Sequence, residues 1–222
     1  MDVTNELKEG ENVVIVKVDN KRHRDNVPTQ IFDWWNYGGI TRDVMLVDVA
    51  PTYIENYKWE LCKTQAKNKK QTISLEGNLN KAEAGKQVVI SIPELKLKQT
   101  ATTDAEGRFS ATFTVQKSKL TLWCPNNPKL YNTEMTIGGE TLKDQVGFRT
   151  IETRGKQILL NGKPIFLHGI SIHEEKPNGG GRCNSLDDAK TLLSMPQDLG
   201  CNYVRLAHYP HNEFMVREAE RR

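Results

Sequence analysis

No run of about 18 apolar residues, the length a helix needs to cross a bilayer, occurs in these 222 residues, and the mean hydropathy is −0.61. A membrane-spanning helix is excluded. No secretory leader is predicted either, because Met1 is followed by Asp2, Glu6, Lys8 and Glu9, where a basic start and an apolar stretch belong. Charge of one sign is scarce: 31 Lys and Arg oppose 28 Asp and Glu, and the net +3 is spread along the chain, without the basic footprint of a nucleic-acid binder. Cysteine is scarce too, with Cys62, Cys124, Cys183 and Cys201 in no spacing suited to a zinc site or a disulfide framework. The sequence therefore predicts no metal, no cofactor, no nucleic-acid partner and no membrane partner. Its length fits one to two domains at about 100–200 residues each.

What is present reads first as β structure. Asn12–Asp19 and Asp43–Val49 are apolar runs of strand length, preceded by a turn at Glu9-Gly10-Glu11 and ended by Pro51, which supplies no ladder donor. Short β-rich runs then recur at even spacing: Tyr53–Cys62, Gln71–Leu79, Gln87–Ile92, Arg108–Val115, Leu120–Trp123, Tyr131–Ile137 and Gln145–Ile151. Thr72–Gly77 and Phe109–Val115 alternate apolar and polar residues, as strands with one buried face must. About seven strands in about 100 residues is the pattern of an immunoglobulin-like sandwich. The lysine-rich Lys63–Lys70 reads as a solvated hairpin loop.

After Ile151 the pattern changes. Ile158–Leu167 reads as a hairpin turning at Asn161-Gly162, two residues that tolerate the positive φ of a type I′ turn. The apolar run from Ile165 to His173 predicts a strand covered on both faces. Ser185 and Asp188 form a capping-box pattern that opens a helix, Gly200 can close it, and Pro196 predicts a kink or an end near Ser194. Cys201–His208 is a second apolar strand, so strand, helix and strand make one βαβ unit with parallel pairing; a last helix begins at Glu213.

Chemistry collects at the ends of those two strands. One ends in His173-Glu174-Glu175 and the other in His208-Tyr209-Pro210-His211, with Arg205 three residues before His208. In parallel α/β sheets the C-terminal strand ends face a common site. An unpaired buried guanidinium is costly, so Arg205, in a strand otherwise apolar, needs a carboxylate partner or an anionic ligand. His173-Glu174-Glu175 is not a zinc motif, since no second histidine follows at helical spacing. Gly179-Gly180-Gly181 lacks the lysine and hydroxyl of a phosphate loop, and Cys183 and Cys201 read as structural. Earlier in the chain, Trp34 and Trp35 beside Asp33 and Asn36 suit stacking on sugar rings and equally suit packing at a domain junction.

The motifs Asp33–Val44, Leu122–Tyr131, Val146-Gly-Phe-Arg149, Leu160–Pro164 and Asn202–Pro210 resemble, in this order, those of glycoside hydrolase family 2, which includes β-galactosidases, β-glucuronidases and β-mannosidases. The resemblance implies a mainly β chain: an immunoglobulin-like β-sandwich flanked by the end of a jelly-roll sugar-binding domain and the first βαβ of a (β/α)8 barrel. Residues 1–50 resemble the C-terminal part of the jelly roll, 52–150 the whole sandwich, and 151–222 the N-terminal part of the catalytic barrel. A barrel takes about 250 residues, so the resemblance implies a fragment that lacks the two catalytic glutamates. By similarity, Arg205 orients the nucleophilic glutamate, His173 and His208 contact the sugar or support its developing charge, and Asp33 reaches the substrate from the jelly roll. No catalytic residue is expected within this chain.

The sequence thus predicts part of a retaining β-glycosidase acting on terminal β-linked sugars, above all β-galactosides, of oligo- or polysaccharides, and inactive alone. The alternative is a non-catalytic sandwich module that binds carbohydrate or protein. Carbohydrate is the expected partner, and self-association through residues 155–222 into a homo-oligomer is expected from the open faces of two barrel strands. Bacterial polysaccharide-degrading members of the family are commonly periplasmic or secreted.

Overall fold

The structure, a computed structural model, describes residues 1–27, 29–31, 34–35, 37–63, 68–177 and 180–222. The chain divides into two units, residues 1–45 and 46–222. In the first, Asn12 closes the expected Gly10 turn by donating to the Lys8 and Gly10 carbonyls at 2.8 and 3.0 Å. The two strands expected before Pro51 do not form: among the described residues no strand precedes Ile54. Their apolar side chains stay exposed, Ile15 at 90% and Met45 at 75%. A strand is completed only by a neighbour that accepts its N–H groups, and among the described residues neither run is paired.

The second unit begins with a sandwich of seven antiparallel strands. Strands β1 (Ile54–Leu61), β2 (Lys70–Leu79) and β5 (Arg108–Gln116) form one sheet in the order β1-β2-β5. The facing sheet has the order β4-β3-β6-β7, from β3 (Gln87–Ile92), β4 (Leu97–Thr102), β6 (Tyr131–Ile137) and β7 (Glu140–Val146). Alternation decides the inner faces: Phe109, Ala111, Phe113 and Val115 of β5 are buried while Arg108, Ser110, Thr112 and Thr114 are exposed. Ile73, Leu75, Val88, Ile90, Ile92 and Met135 are fully enclosed between the sheets. Each such side chain contributes about 1.5–3 kcal/mol of hydrophobic stabilisation. Trp59 stacks on Phe113 at 6.2 Å and meets the edge of Phe148 at 6.3 Å.

Two runs in this region differ from expectation. Leu120–Trp123 is not a strand; a 3-10 turn at Lys117–Lys119 leads into irregular backbone whose Trp123 N–H donates to the Phe148 carbonyl at 2.9 Å. Gln145–Ile151 is split between the end of β7 and the start of β8 (Ile151–Arg154), because the chain leaves the sandwich between them. Strand β4 was hidden in the sequence by its lysines and threonines; being an edge strand, it buries only Ala101 and half-buries Leu97.

Beyond the sandwich, β8, β9 (Gln157–Leu160) and β10 (Lys163–Pro164) make a small antiparallel sheet. Its tight turn at Asn161 and Gly162 has φ of 54° and 77°, as the sequence predicts for a type I′ hairpin. Next, β11 (Gly169–Ile172) pairs in parallel with β12 (Tyr203–Leu206), across helix α1 (Leu186–Asp198). Gly169 makes this pairing possible: a Cβ there would lie 1.9 Å from the Tyr203 carbonyl oxygen. The expected capping box of α1 is present, with Ser185 Oγ accepting from Asp188 N–H at 3.1 Å.

Helix α1 does not end near Ser194. Pro196 sits in its last turn, buried against the core, and the helix runs to Asp198. Gly200 N–H and Cys201 N–H then close the terminus on the Gln197 and Pro196 carbonyls, both at 2.9 Å, a Schellman arrangement. Helix α2 (Glu213–Arg221), capped by Asn212, packs beside α1. Both helices cover one face of the parallel pair through Ile170, Ile172, Val204, Leu206, Ala189, Leu193 and Met215. The opposite face, Gly169, Ser171, Tyr203 and Arg205, is exposed. Among the described residues the strand is therefore covered on one face rather than two, the face that α1 and α2 take.

Candidate active site

Parallel register brings the two strand ends together. Ser171 lies opposite Arg205 and Ile172 opposite Leu206, and Ala207 N–H extends the ladder to the Ile172 carbonyl at 3.0 Å. The residues that follow therefore meet: the rings of His173 and His208 are 5.3 Å apart and nearly perpendicular, at 79°. The Ala207–His208 peptide is cis. Tyr209 completes the cluster, its ring 5.8 Å from that of His173 and its hydroxyl 3.4 Å from His173 Nδ1.

Behind these rings lies a polar frame. The Glu174 side chain is 1% exposed, and its carboxylate pairs with Arg182 at 3.3 Å and accepts from the Asn212 backbone N–H. Glu174 N–H donates to the Tyr209 hydroxyl at 3.2 Å, and the Arg182 guanidinium stacks 4.3 Å from the Tyr209 ring centre. His211 stacks on Tyr209, with centres 5.3 Å apart and planes at 23°. Its Nε2 is 2.8 Å from the Ala207 carbonyl, which identifies Nε2 as the protonated nitrogen and leaves the buried Nδ1 with no hydrogen-bond partner among the described residues. Burial holds the His211 imidazole below its ordinary range and pushes the Tyr209 hydroxyl up.

Arg205 departs from expectation. It is exposed, on the open face of β12, and among the described residues it forms no ion pair, so no desolvation demands a carboxylate. Strand alternation is the reason: Val204 and Leu206 take the helix side and leave Arg205 the other. Asp33 lies outside the described residues. Trp35 is exposed and meets Tyr37 edge-on at 6.4 Å. Cys183 is buried, and desolvation first, then Asp188 and Glu174, raise its thiol to about 11, which leaves little thiolate for nucleophilic work. The sequence signal found His173 and His208 but not the frame. Tyr209 was within the noticed strand-end run, whereas nothing in the glycine-rich loop marks Arg182 as the partner of Glu174.

The arrangement presents two imidazoles, one phenol and one guanidinium at the ends and open face of a parallel pair. Such groups hold hydroxyls and offset charge. The glutamate after His173 is committed to Arg182 and Asn212 and so is poorly placed to exchange protons with a ligand.

Comparison with known proteins identifies the family. The model for the glycosyl hydrolases family 2 matches residues 52–149, and the family's TIM barrel domain matches residues 151–221. A putative β-glucuronidase of Formosa agariphila is 30% identical over 96% of this chain and 26% of its own length. A β-galactosidase of Thermoanaerobacter pseudethanolicus is 28% identical over 94% of this chain and 30% of its own. Among solved structures, β-glucuronidase 3 of Bacteroides uniformis superposes with a TM-score of 0.76 at 25% identity, covering 91% of this chain and 26% of that one. The β-glucuronidase of Parabacteroides merdae shares the fold with a TM-score of 0.79 at 24% identity, covering 92% and 27%. The chain thus spans roughly a quarter to a third of the length of these relatives.

Proposed function

The chain belongs to the family 2 glycosyl hydrolases, and we propose that it carries the sugar-contacting part of a retaining β-glycosidase that removes terminal β-linked sugars, β-galactosides foremost. The observation that carries this reading is the meeting of His173 and His208 at the ends of β11 and β12, ring centres 5.3 Å apart. Enzymes built on parallel strands place their chemistry at that end. His173 and His208 contact the sugar hydroxyls or support the oxocarbenium-like charge. Arg205, exposed and cationic, orients the nucleophilic carboxylate, and Asp33 reaches the sugar from the first unit.

Retaining hydrolysis needs two carboxyl groups about 5–5.5 Å apart, one protonating the leaving oxygen and one attacking the anomeric carbon. We assign neither role to a glutamate of this chain. Residues 1–50 are read as the C-terminal part of a jelly-roll sugar-binding domain, 52–150 as the sandwich and 151–222 as the N-terminal part of the barrel. The relatives' names divide between β-galactosides and β-glucuronides, so both are assayed. The chain by itself is expected to release no nitrophenol from nitrophenyl β-galactoside or β-glucuronide. Release above a buffer blank that an Arg205→Ala change abolishes would overturn the assignment of the catalytic pair to residues outside the chain. Sequencing the coding region beyond Arg222 tests the parentage, with an Asn-Glu pair after further strands as the expected finding.

A further inference from the structure

We propose that Asn161 is a site of spontaneous modification: its amide ties the β9–β10 hairpin to the sandwich, and conversion of that amide to a carboxylate, by attack of the Gly162 nitrogen, releases the tie.

The turn selects Asn-Gly because both positions take positive φ, 54° and 77°. The same pair is chemically labile. Asparagine is a thermolabile residue, and glycine carries no side chain to shield its own nitrogen. In the reaction the Gly162 nitrogen bonds to Asn161 Cγ, the Cγ–Nδ2 bond breaks, and the proton of the Gly162 N–H leaves with Nδ2 as ammonia. Water then opens the cyclic imide to give aspartate or its β-linked isomer, with no oxidant or cofactor involved. Gly162 is exposed, so water reaches it.

The fold holds this reaction in check by bonding the amide at both ends. Nδ2 donates to the Trp123 carbonyl and Oδ1 accepts from the Thr150 N–H, each at 3.0 Å, while the Asn161 N–H donates to the Thr150 carbonyl at 2.9 Å. Swinging Cγ onto the Gly162 nitrogen breaks both side-chain bonds. The far end of the tie is a junction. Trp123 donates through its backbone N–H to the Phe148 carbonyl at 2.9 Å and through its indole N–H to the Glu220 carbonyl at 2.7 Å. Its ring carries the Arg149 guanidinium at 4.5 Å, and a Cβ at Gly147 would lie 2.6 Å from that ring. Asn161 thus adds the hairpin to a joint that already gathers the chain leaving β7 and helix α2. A carboxylate has no hydrogen to donate. At position 161 it sets an acceptor against the Trp123 carbonyl, and the hairpin loses its bond to the sandwich.

The test ages the 222-residue chain at mildly alkaline pH, either folded or unfolded in guanidinium chloride, and follows the amide-to-acid mass gain at position 161 by peptide mapping. Conversion is expected to be about tenfold or more slower in the folded chain, the factor that two hydrogen bonds of ordinary net strength supply. Equal rates in the two states would overturn the proposal that the fold restrains the reaction. Release is read by hydrogen exchange at the backbone amides of positions 150 and 161. Asn161→Asp, which makes the product of the reaction, is expected to raise exchange at both by about fivefold or more, as loss of one such bond does. Unchanged exchange in a folded Asn161→Asp chain would refute the release. Asn161→Gly, which accepts the same φ without a side chain, separates the tie from strain in the turn: a rise of similar size supports the tie, and no change refutes it. If Asn161→Asp fails to fold, Asn161→Gly decides by those two outcomes.

Discussion

His211 shows how far a side chain's chemistry departs from what its type suggests. In the sequence it is one of several histidines near a strand end; in the fold it is buried, donates through Nε2 to Ala207 and has an unpartnered Nδ1. Adding a proton there would place a charge where desolvation opposes it, which is why its pKa lies below the ordinary value of 6.5. The unfolded chain takes up that proton near 6.5 while the folded chain resists it, so His211 favours the fold above that value and opposes it as the pH falls below. The helical circular-dichroism signal should therefore melt at progressively lower temperature as the pH falls below about 6.5. His211→Gln should flatten that dependence; an equally steep loss in the variant would refute the assignment. At this scale the sequence located His173 and His208 by their places at strand ends. It implied a buried Arg205, which the fold leaves exposed, because period-2 alternation alone does not say which face of a strand the fold will cover.

At the level of elements, legibility followed the strength of local pattern. The strict alternation of β5, the turn at Asn161-Gly162 and the Ser185/Asp188 cap each combine a periodic or geometric demand with residues that satisfy it locally, and each was readable. Ser185→Ala should lower the stability of the βα region by about 1 kcal/mol, by loss of the hydroxyl that accepts the Asp188 N–H. Chemical denaturation followed through helical content measures it, and no change would mean that the cap is carried by Asp188 alone. The apolar runs at 12–19 and 43–49 look equally strand-like, yet among the described residues neither is paired, because a strand depends on a remote neighbour that composition does not reveal. Pro196 misled in the other direction: within the last turn of α1 its missing N–H is soon followed by a Schellman closure on Gly200 and Cys201.

Across the second unit as a whole, α2 is fastened to the sandwich at two points. Asp144 of β7 receives hydrogen bonds from the Tyr57 hydroxyl at 2.6 Å and from Arg217 of α2 at 2.5 Å. Burial works against the Asp144 charge, but these bonds outweigh it and keep the carboxyl below its ordinary range. At the second point, Trp123 donates to the Glu220 carbonyl at 2.7 Å while Arg149 stacks on Trp123 and pairs with the Glu220 carboxylate at 2.6 Å. The sandwich therefore holds the helix whose N-terminus supports the histidine site. Asp144→Asn should weaken this attachment by about 1 kcal/mol, a modest figure because Arg217 is 45% exposed and solvent screens the pair. Denaturation followed separately by helix and sheet signals should then show α2 loosening before the sandwich unfolds. The open face and edges of the β11–β12 pair, with Tyr203 46% and Phe166 83% exposed, predict self-association of the chain. Light scattering that finds a monodisperse monomer would count against it.

By itself the sequence determined the architecture from Ile54 onward, though it missed β4 and took Leu120–Trp123 for a strand: a sandwich from alternation and evenly spaced turns, then a βαβ unit from a longer-period pattern, with histidines at both strand ends. These are local properties, set by residue spacing and backbone preference. The tertiary structure decided what depends on remote neighbours. It turned Arg205 outward, left the described residues among the first fifty without strands, buried Glu174 between Arg182 and Asn212, and fastened α2 to the sandwich through Asp144 and Trp123. Hydrogen-bond partners and burial belong to pairs of distant segments, and only the folded chain brings those pairs together.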